Sequence, residues 1–233
     1  MDFWMQIPAI GSIFNAGAVV VGGCIGIFAG RFIPDRLQRI VFQCFGLFSL
    51  YLGFDMAGKG DSTALVLFGL VLGAIWGELW DLDAKLNSLG EYLKARINTG
   101  SSTFTEGFVT TTLFYCVGSM SILGALQEGL QGDPSLLFTK GMMDGTLTIL
   151  FAASLGVGTL FSALPLLIYE GGITLAAGWF GTFLTPAMID NMSGVGGLMI
   201  VGLGLNLLQV AQIKVSNFLP GLLVVVLLTR LFQ

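Results

Sequence analysis

The chain has 233 residues, with 10 Lys or Arg, 14 Asp or Glu and no histidine, and it is 55% hydrophobic and 10% charged. A soluble domain is roughly 25% charged, so a soluble globular fold, a disordered chain and a basic nucleic-acid binder are excluded, and an all-α polytopic membrane protein is expected. Without histidine, Ser-His-Asp and Cys-His catalysis and the usual zinc sites are removed; the expectation is no enzyme, no metal and no cofactor.

Met1-Asp2-Phe3-Trp4 lacks the positive charge that opens a signal peptide, so the first apolar run is expected to be a retained span. At about 20 apolar residues per crossing, eight transmembrane helices are predicted, over 11–31, 38–57, 62–80, 104–126, 141–162, 164–181, 193–211 and 216–232. The fifth and sixth form one apolar stretch, interrupted at Ser162-Ala163-Leu164-Pro165. A hairpin there gives eight spans; one kinked helix gives seven.

Between the third and fourth spans, Leu82, Leu86, Leu89, Leu93 and Ile97 recur at helical spacing, with Lys85, Glu91, Lys94 and Arg96 mostly off that stripe. This predicts an amphipathic helix over 82–97, too charged to span, lying on the cytoplasmic membrane face. Basic residues in short loops set orientation. Arg31, Arg36, Arg39, Lys85, Lys94, Arg96 and Lys214 fall on one side, and Lys59, Lys140 and Arg230 on the other. Both termini are therefore expected outside, in the periplasm. Cys24, Cys44 and Cys116 lie in apolar runs with no CxxC spacing and read as small buried hydrophobes.

The chain resembles itself at an offset of about 150 residues. Gly46-Leu47-Phe48-Ser49-Leu50-Tyr51-Leu52-Gly53-Phe54-Asp55 matches Gly197-Leu198-Met199-Ile200-Val201-Gly202-Leu203-Gly204-Leu205-Asn206. Val21-Gly22-Gly23 faces Glu170-Gly171-Gly172, and Gly69-Leu70 faces Gly221-Leu222. One membrane domain over 1–233 is expected, with a three-helix repeat at 11–80, a second copy at 164–232, and a central hairpin at 104–162. With eight spans the copies run in opposite senses, as in many secondary transporters; with seven they run parallel.

Polar groups at membrane depth are costly and usually face a partner or a cavity. Asp55, Glu78 and Glu106 lie near span ends and read as solvated helix termini. Asp144 and Glu170 lie deeper, although Asp144 has Lys140 four residues earlier. With Asn15, Asn206 and the small-residue stretch around Ser119 and Ser121, they form the candidate substrate- or ion-binding set. Gly26 with Gly30, and Gly69 with Gly73 and Gly77, have the four-residue spacing that lets helix backbones approach, within the chain or across a homodimer. Gly58-Lys59-Gly60-Asp61 spells the GxGD of intramembrane aspartyl proteases but falls in a short loop.

Gly11-Ser12-Ile13-Phe14-Asn15, Cys116 to Ala125, Gly129-Leu130-Gln131-Gly132-Asp133, Met143-Asp144-Gly145 and Phe161 to Thr174 together resemble the domain-of-unknown-function family 554, the YdfK/YqgA-like bacterial integral membrane proteins. The resemblance covers nearly the whole chain and implies residence in the bacterial inner membrane, without an activity. It also implies that proline is common at the position of Ser119 and glutamine at that of Glu170. Two functional readings follow. The first is a small-solute or ion transporter or channel, with a site between inverted repeats near the midplane and with lipid and a small solute or cation as partners. The second is a non-transporting scaffold or assembly factor, in which the polar residues pair with one another and leave no cavity.

Overall fold

A computed structural model describes residues 8–30, 32, 34–97, 101–180 and 183–232. Among these the chain is helical and no strand occurs. The helices are α1 (Ile10–Gly30), α2 (Asp35–Ala57), α3 (Thr63–Trp80), α4 (Leu82–Ile97), α5 (Phe104–Cys116), α6 (Ser119–Gln131), α7 (Ser135–Leu155), α8 (Gly158–Phe161), α9 (Ala163–Leu175), α10 (Ala177–Phe180), α11 (Pro186–Leu207) and α12 (Pro220–Phe232), with a 3₁₀ turn at Val215–Phe218 before the last.

Among the described residues helix fills most of each of the eight predicted segments, with breaks at Val117-Gly118 inside the fourth and at Gly156-Val157 inside the fifth. Six segments are long and apolar enough to cross a membrane unaided, among them α1, α3, α7 and α11. The others are Gly158–Leu175, which joins α8 to α9, and Val215–Phe232. Counted as one broken span, α5 and α6 give a seventh; the pair is bent by 58°. The 23-residue α2 opens on the charged residues Asp35, Arg36 and Arg39. The 82–97 helix forms as predicted.

The break between the fifth and sixth segments falls at Gly156-Val157, earlier than Ser162-Ala163-Leu164-Pro165. Gly156 has φ +77°, a conformation that a Cβ disfavours, and its N–H caps α7 through the Ala152 carbonyl. Pro165 sits in the first turn of α9, where its missing N–H has no helical partner to lose. The two segments are therefore separate helices.

By contacts the chain divides into two compact units. The first comprises Met1–Arg39, Gly90–Cys116 and Met120–Phe183; the second comprises Ile40–Leu89, Val117–Ser119 and Leu184–Gln233.

In the first unit α1 lies parallel to α7 at backbone contact. A Cβ at Gly22 would overlap the Gly145 carbonyl, one at Gly26 the Ile149 carbonyl, and one at Gly30 would come within 2.6 Å of the Ala153 carbonyl. Small residues thus let two helices close to a distance that a larger side chain forbids. The α8–α9 segment runs antiparallel to α1, since Gly23 meets Leu160 while Ser12 meets Thr174. The broken pair follows the whole length of α7: Gly107 of α5 meets Leu155, and Gly124 of α6 meets Leu137. Beside α5, the Thr105 hydroxyl donates to Glu91 of α4 at 2.5 Å and holds that carboxyl below its usual range.

The second unit repeats the device. Gly46 and Gly53 of α2 close on Gly204 and Gly197 of α11, antiparallel. Gly69, Gly73 and Gly77 of α3 close on Val225, Gly221 and Asn217. All five glycines at four-residue spacing therefore pack against helices of their own chain. Asn191 of α11 accepts from the Ser62 amide at 2.9 Å and donates to Thr229 of α12 at 3.0 Å.

The cysteines correct an expectation. Cys24 and Cys44 are exposed and Cys116 is half-buried, all with free thiols. In an apolar spanning helix the outward face is as hydrophobic as the inward one, so an apolar run does not predict burial.

Gly22→Ala is expected to cost about 1–3 kcal/mol by overpacking α1 on α7. Gly17→Ala, with nothing within 4 Å of its Cβ, is expected to gain up to about 1 kcal/mol from helix propensity. Thermal unfolding of the two variants in detergent checks the ordering.

Candidate functional site

Three helices of the first unit bring four polar side chains together. Lys140 and Asp144 are four residues apart on α7 and share one face of that helix. Asn15 projects from α1, which the glycine seam holds against α7. Glu170 projects from α9 on the other side of Asn15. Asn15 and Glu170 are fully buried, and Lys140 and Asp144 nearly so.

The Lys140 ammonium is ion-paired and hydrogen-bonded to Asp144 Oδ2, and lies 3.4 Å from Glu170 Oε1. The Asn15 amide nitrogen donates to Asp144 Oδ2 at 3.1 Å and to Glu170 Oε1 and Oε2 at 3.1 and 3.0 Å. One amide thus bridges two carboxylates that would otherwise repel. Tyr115 of α5 presents its ring 5.9 Å from the Lys140 nitrogen. Its hydroxyl is 2.8 Å from that of Thr148, which donates to the Asp144 carbonyl at 2.6 Å.

The cluster is not balanced. Fully ionised, it has two carboxylates against one ammonium, a net charge of −1 inside a spanning bundle. An uncompensated buried charge is strongly unfavourable. One acceptor is also orphaned: Asn15 Oδ1 has no hydrogen-bond partner. A bound proton or small cation answers the first deficit, and a donor or cation beside Oδ1 answers the second.

Of the sequence-derived set, Asn15, Asp144 and Glu170 come together. Ser121 is buried and joins them: its side chain faces the Glu170 carboxylate, and its hydroxyl donates to the Tyr115 carbonyl at 2.8 Å, across the break between α5 and α6. The Ser119 side chain lies outside the described residues. Asn206 is elsewhere, in the second unit, where it exchanges hydrogen bonds with the Ile213 backbone at 2.7 and 2.8 Å and closes the turn after α11. The cluster is also off-centre. Asn15 lies five residues into α1, about 8 Å from its start at 1.5 Å per residue.

Lys140 is the residue that sequence reasoning misplaced. It was assigned to a loop, because the apolar run was begun at 141, yet α7 begins at Ser135. The i,i+4 spacing to Asp144 was the available signal. The other acids named from the sequence are less enclosed. Asp55 pairs with Lys59 at 2.8 Å on an exposed face. Glu78 contacts Lys214 at 2.9 Å and Asn217 at 2.5 Å, and its hydrogen bond to Lys214 raises that lysine above its ordinary range. Glu106 is exposed in the first turn of α5.

Lys140→Met is expected to destabilise the protein by about 3–5 kcal/mol, since it strands two buried carboxylates. Lys140→Met with Asp144→Leu is expected to cost less than Lys140→Met alone. Thermal unfolding of both variants and of Asp144→Leu completes the cycle.

No solved structure matches the chain. Two curated relatives do. "Uncharacterized protein YqgA" of Escherichia coli (strain K12) is 31% identical over 219 residues, covering 92% of this chain and 93% of that protein. "Uncharacterized membrane protein YdfK" of Bacillus subtilis (strain 168) is 33% identical over 219 residues, with the same coverage. The family model "Protein of unknown function (DUF554)" matches residues 10–230. The chain belongs to the DUF554 family.

Proposed function

We propose that this protein is a cation-coupled transporter of a small solute in the bacterial inner membrane, with the Asn15–Lys140–Asp144–Glu170 cluster as its coupling site. The observation that carries this reading is the charge imbalance: two buried carboxylates share one lysine. A purely structural ion pair is cheapest when neutral. A group one charge short is a place where a proton or monovalent cation binds.

An inverted repeat supports the same reading. Under the 150-residue offset α1 corresponds to α9, α2 to α11 and α3 to α12. Each of these pairs packs antiparallel: Ser12 on Thr174 with Asn15 on Glu170, Gly46 on Gly204 with Gly53 on Gly197, and Gly69 on Val225 with Gly73 on Gly221. Antiparallel packing of counterparts is what a two-fold axis in the membrane plane produces. The cluster then draws Asn15 and Glu170 from the first helix of each copy.

A scaffold is the second reading. It is favoured by the way the four side chains satisfy one another and by the complete burial of Glu170. Ligand response separates the two. Purified protein is melted in the presence of sodium, potassium, amino acids, polyamines and organic acids, and across pH. A coupling site predicts stabilisation by about 2.7 kcal/mol at a ligand concentration of 100 Kd, lost in Glu170→Gln, which keeps the shape and removes the charge. Silence across the whole panel rejects transport in favour of the scaffold.

A further inference from the structure

We infer that Glu128 is a second carboxylate station, through which protons reach the Glu170 cluster along a seam between α1, α6 and α9. The inference rests on the proposed coupling role of that cluster. Glu128 lies in the last turn of α6 and is 7% exposed. The next residues, 129–132, are exposed, so the carboxylate lies just beneath the surface at the α1 N-terminal end. Its Oε1 accepts from the Gly11 amide at 2.7 Å, in the first turn of α1, where free amides and the helix dipole favour an anion. Gly11 allows this approach, since a Cβ there would come 2.8 Å from the Leu137 Cβ and 3.0 Å from Glu128 Oε2.

Binding the helix end accounts for only one oxygen. Glu128 Oε2 is buried with no hydrogen-bond partner. The Thr174 hydroxyl faces the same carboxylate and is 3.4 Å from the Ser12 hydroxyl. Thr174 also donates to the Glu170 carbonyl at 3.0 Å, and Asn15, with its own orphan Oδ1, follows Ser12 by three residues on α1. The orphan atoms Glu128 Oε2 and Asn15 Oδ1 thus belong to the residues flanking a hydroxyl pair, with Thr174 facing Glu128 and Ser12 one helical turn before Asn15. That is the lining of a proton wire completed by water, which satisfies orphan acceptors and conducts.

The step is balanced. Glu128 takes a proton from outside water, and each hydroxyl or water on the seam accepts one proton and releases another. Glu170 takes the last, so one positive charge moves inward and only O–H bonds form and break. The titratable groups around the seam are Lys140 and Asp144 on α7, Tyr169 and Glu170 on α9, and Tyr115 and Cys116 on α5. None of them joins Glu128 directly, so the hydroxyls are the connection.

Infrared spectroscopy of the full chain in liposomes tests this. Protonated Glu170 gives a carboxylic C=O band that Glu170→Gln removes, and transfer into D2O shifts it at the rate of proton exchange. Glu128→Gln keeps the oxygen that binds Gly11 but cannot relay; it is expected to slow the shift about a hundredfold, the scale of a lost acid–base group. Ser12→Ala with Thr174→Val, which leaves Glu128 intact, is expected to slow it as well. A Glu170 band whose exchange is unchanged in both variants overturns the relay and leaves the coupling site standing. A band absent in wild type, or abolished by sodium, overturns the proton assignment at Glu170 and the relay with it.

Discussion

The first unit depends on how closely α1 can approach α7. Gly11, Gly22, Gly26 and Gly30 of α1 and Gly141 and Gly145 of α7 line that contact with Ala18, Ala152 and Ala153, and nothing larger fits where Gly22 meets the Gly145 carbonyl. The seam is dry dispersion contact, made without any hydrophobic drive, since lipid is as apolar as the helices themselves. It fixes the rotation and depth of α1 and so decides which α1 residue faces Asp144. Asn15 occupies that position. Its amide can bridge Asp144 and Glu170 only because the seam removes the gap. The glycines and the ionic group are one construction.

Within that construction the polar groups are held tightly but incompletely satisfied. Lys140 is shared between two acids, and Asn15 donates to both while its oxygen has no partner. Buried networks of this kind are rigid when complete and responsive when one charge short. Whether the cluster glues the helices or responds to an ion therefore turns on one unit of charge. Both readings retain the same geometry.

Much of the architecture was legible in the sequence. Composition indicated the membrane, and the eight apolar segments are mostly helix, the fourth and fifth with a break inside them. Glycine spacing marked the contacts of α1 with α7 and of α3 with α12. Asn15, Asp144 and Glu170 were found because a polar group in an apolar run is conspicuous. Lys140 was read four residues from Asp144 but also counted with a loop, because hydropathy trims a span at its first charge, whereas α7 begins five residues before it. Asn206 lies apart from them and bonds the Ile213 backbone, because an amide near a helix end can serve a turn. Glu128 was missed because Glu near a helix terminus is ordinary until its partner, the amide of Gly11, is known. Helix identity is a local property of sequence; which polar group meets which is decided by packing between segments more than a hundred residues apart.

The burial of Lys140 has a consequence for how the chain enters the bilayer. Lysine and aspartate near a helix centre each oppose insertion by about 2.5–3.5 kcal/mol, and α7 has the lowest mean hydropathy of the six spanning segments, 1.2 against 1.9 for α1. Alone in lipid, α7 is therefore a poor candidate for release. Asn15, the partner of Asp144, is made 129 residues before it, and Glu170 follows Asp144 by 26 residues (170 − 144). Stable integration of α7 requires α1 to be retained nearby and α9 to arrive soon after. Assembly in this unit is a matter of timing during synthesis as well as of final contacts.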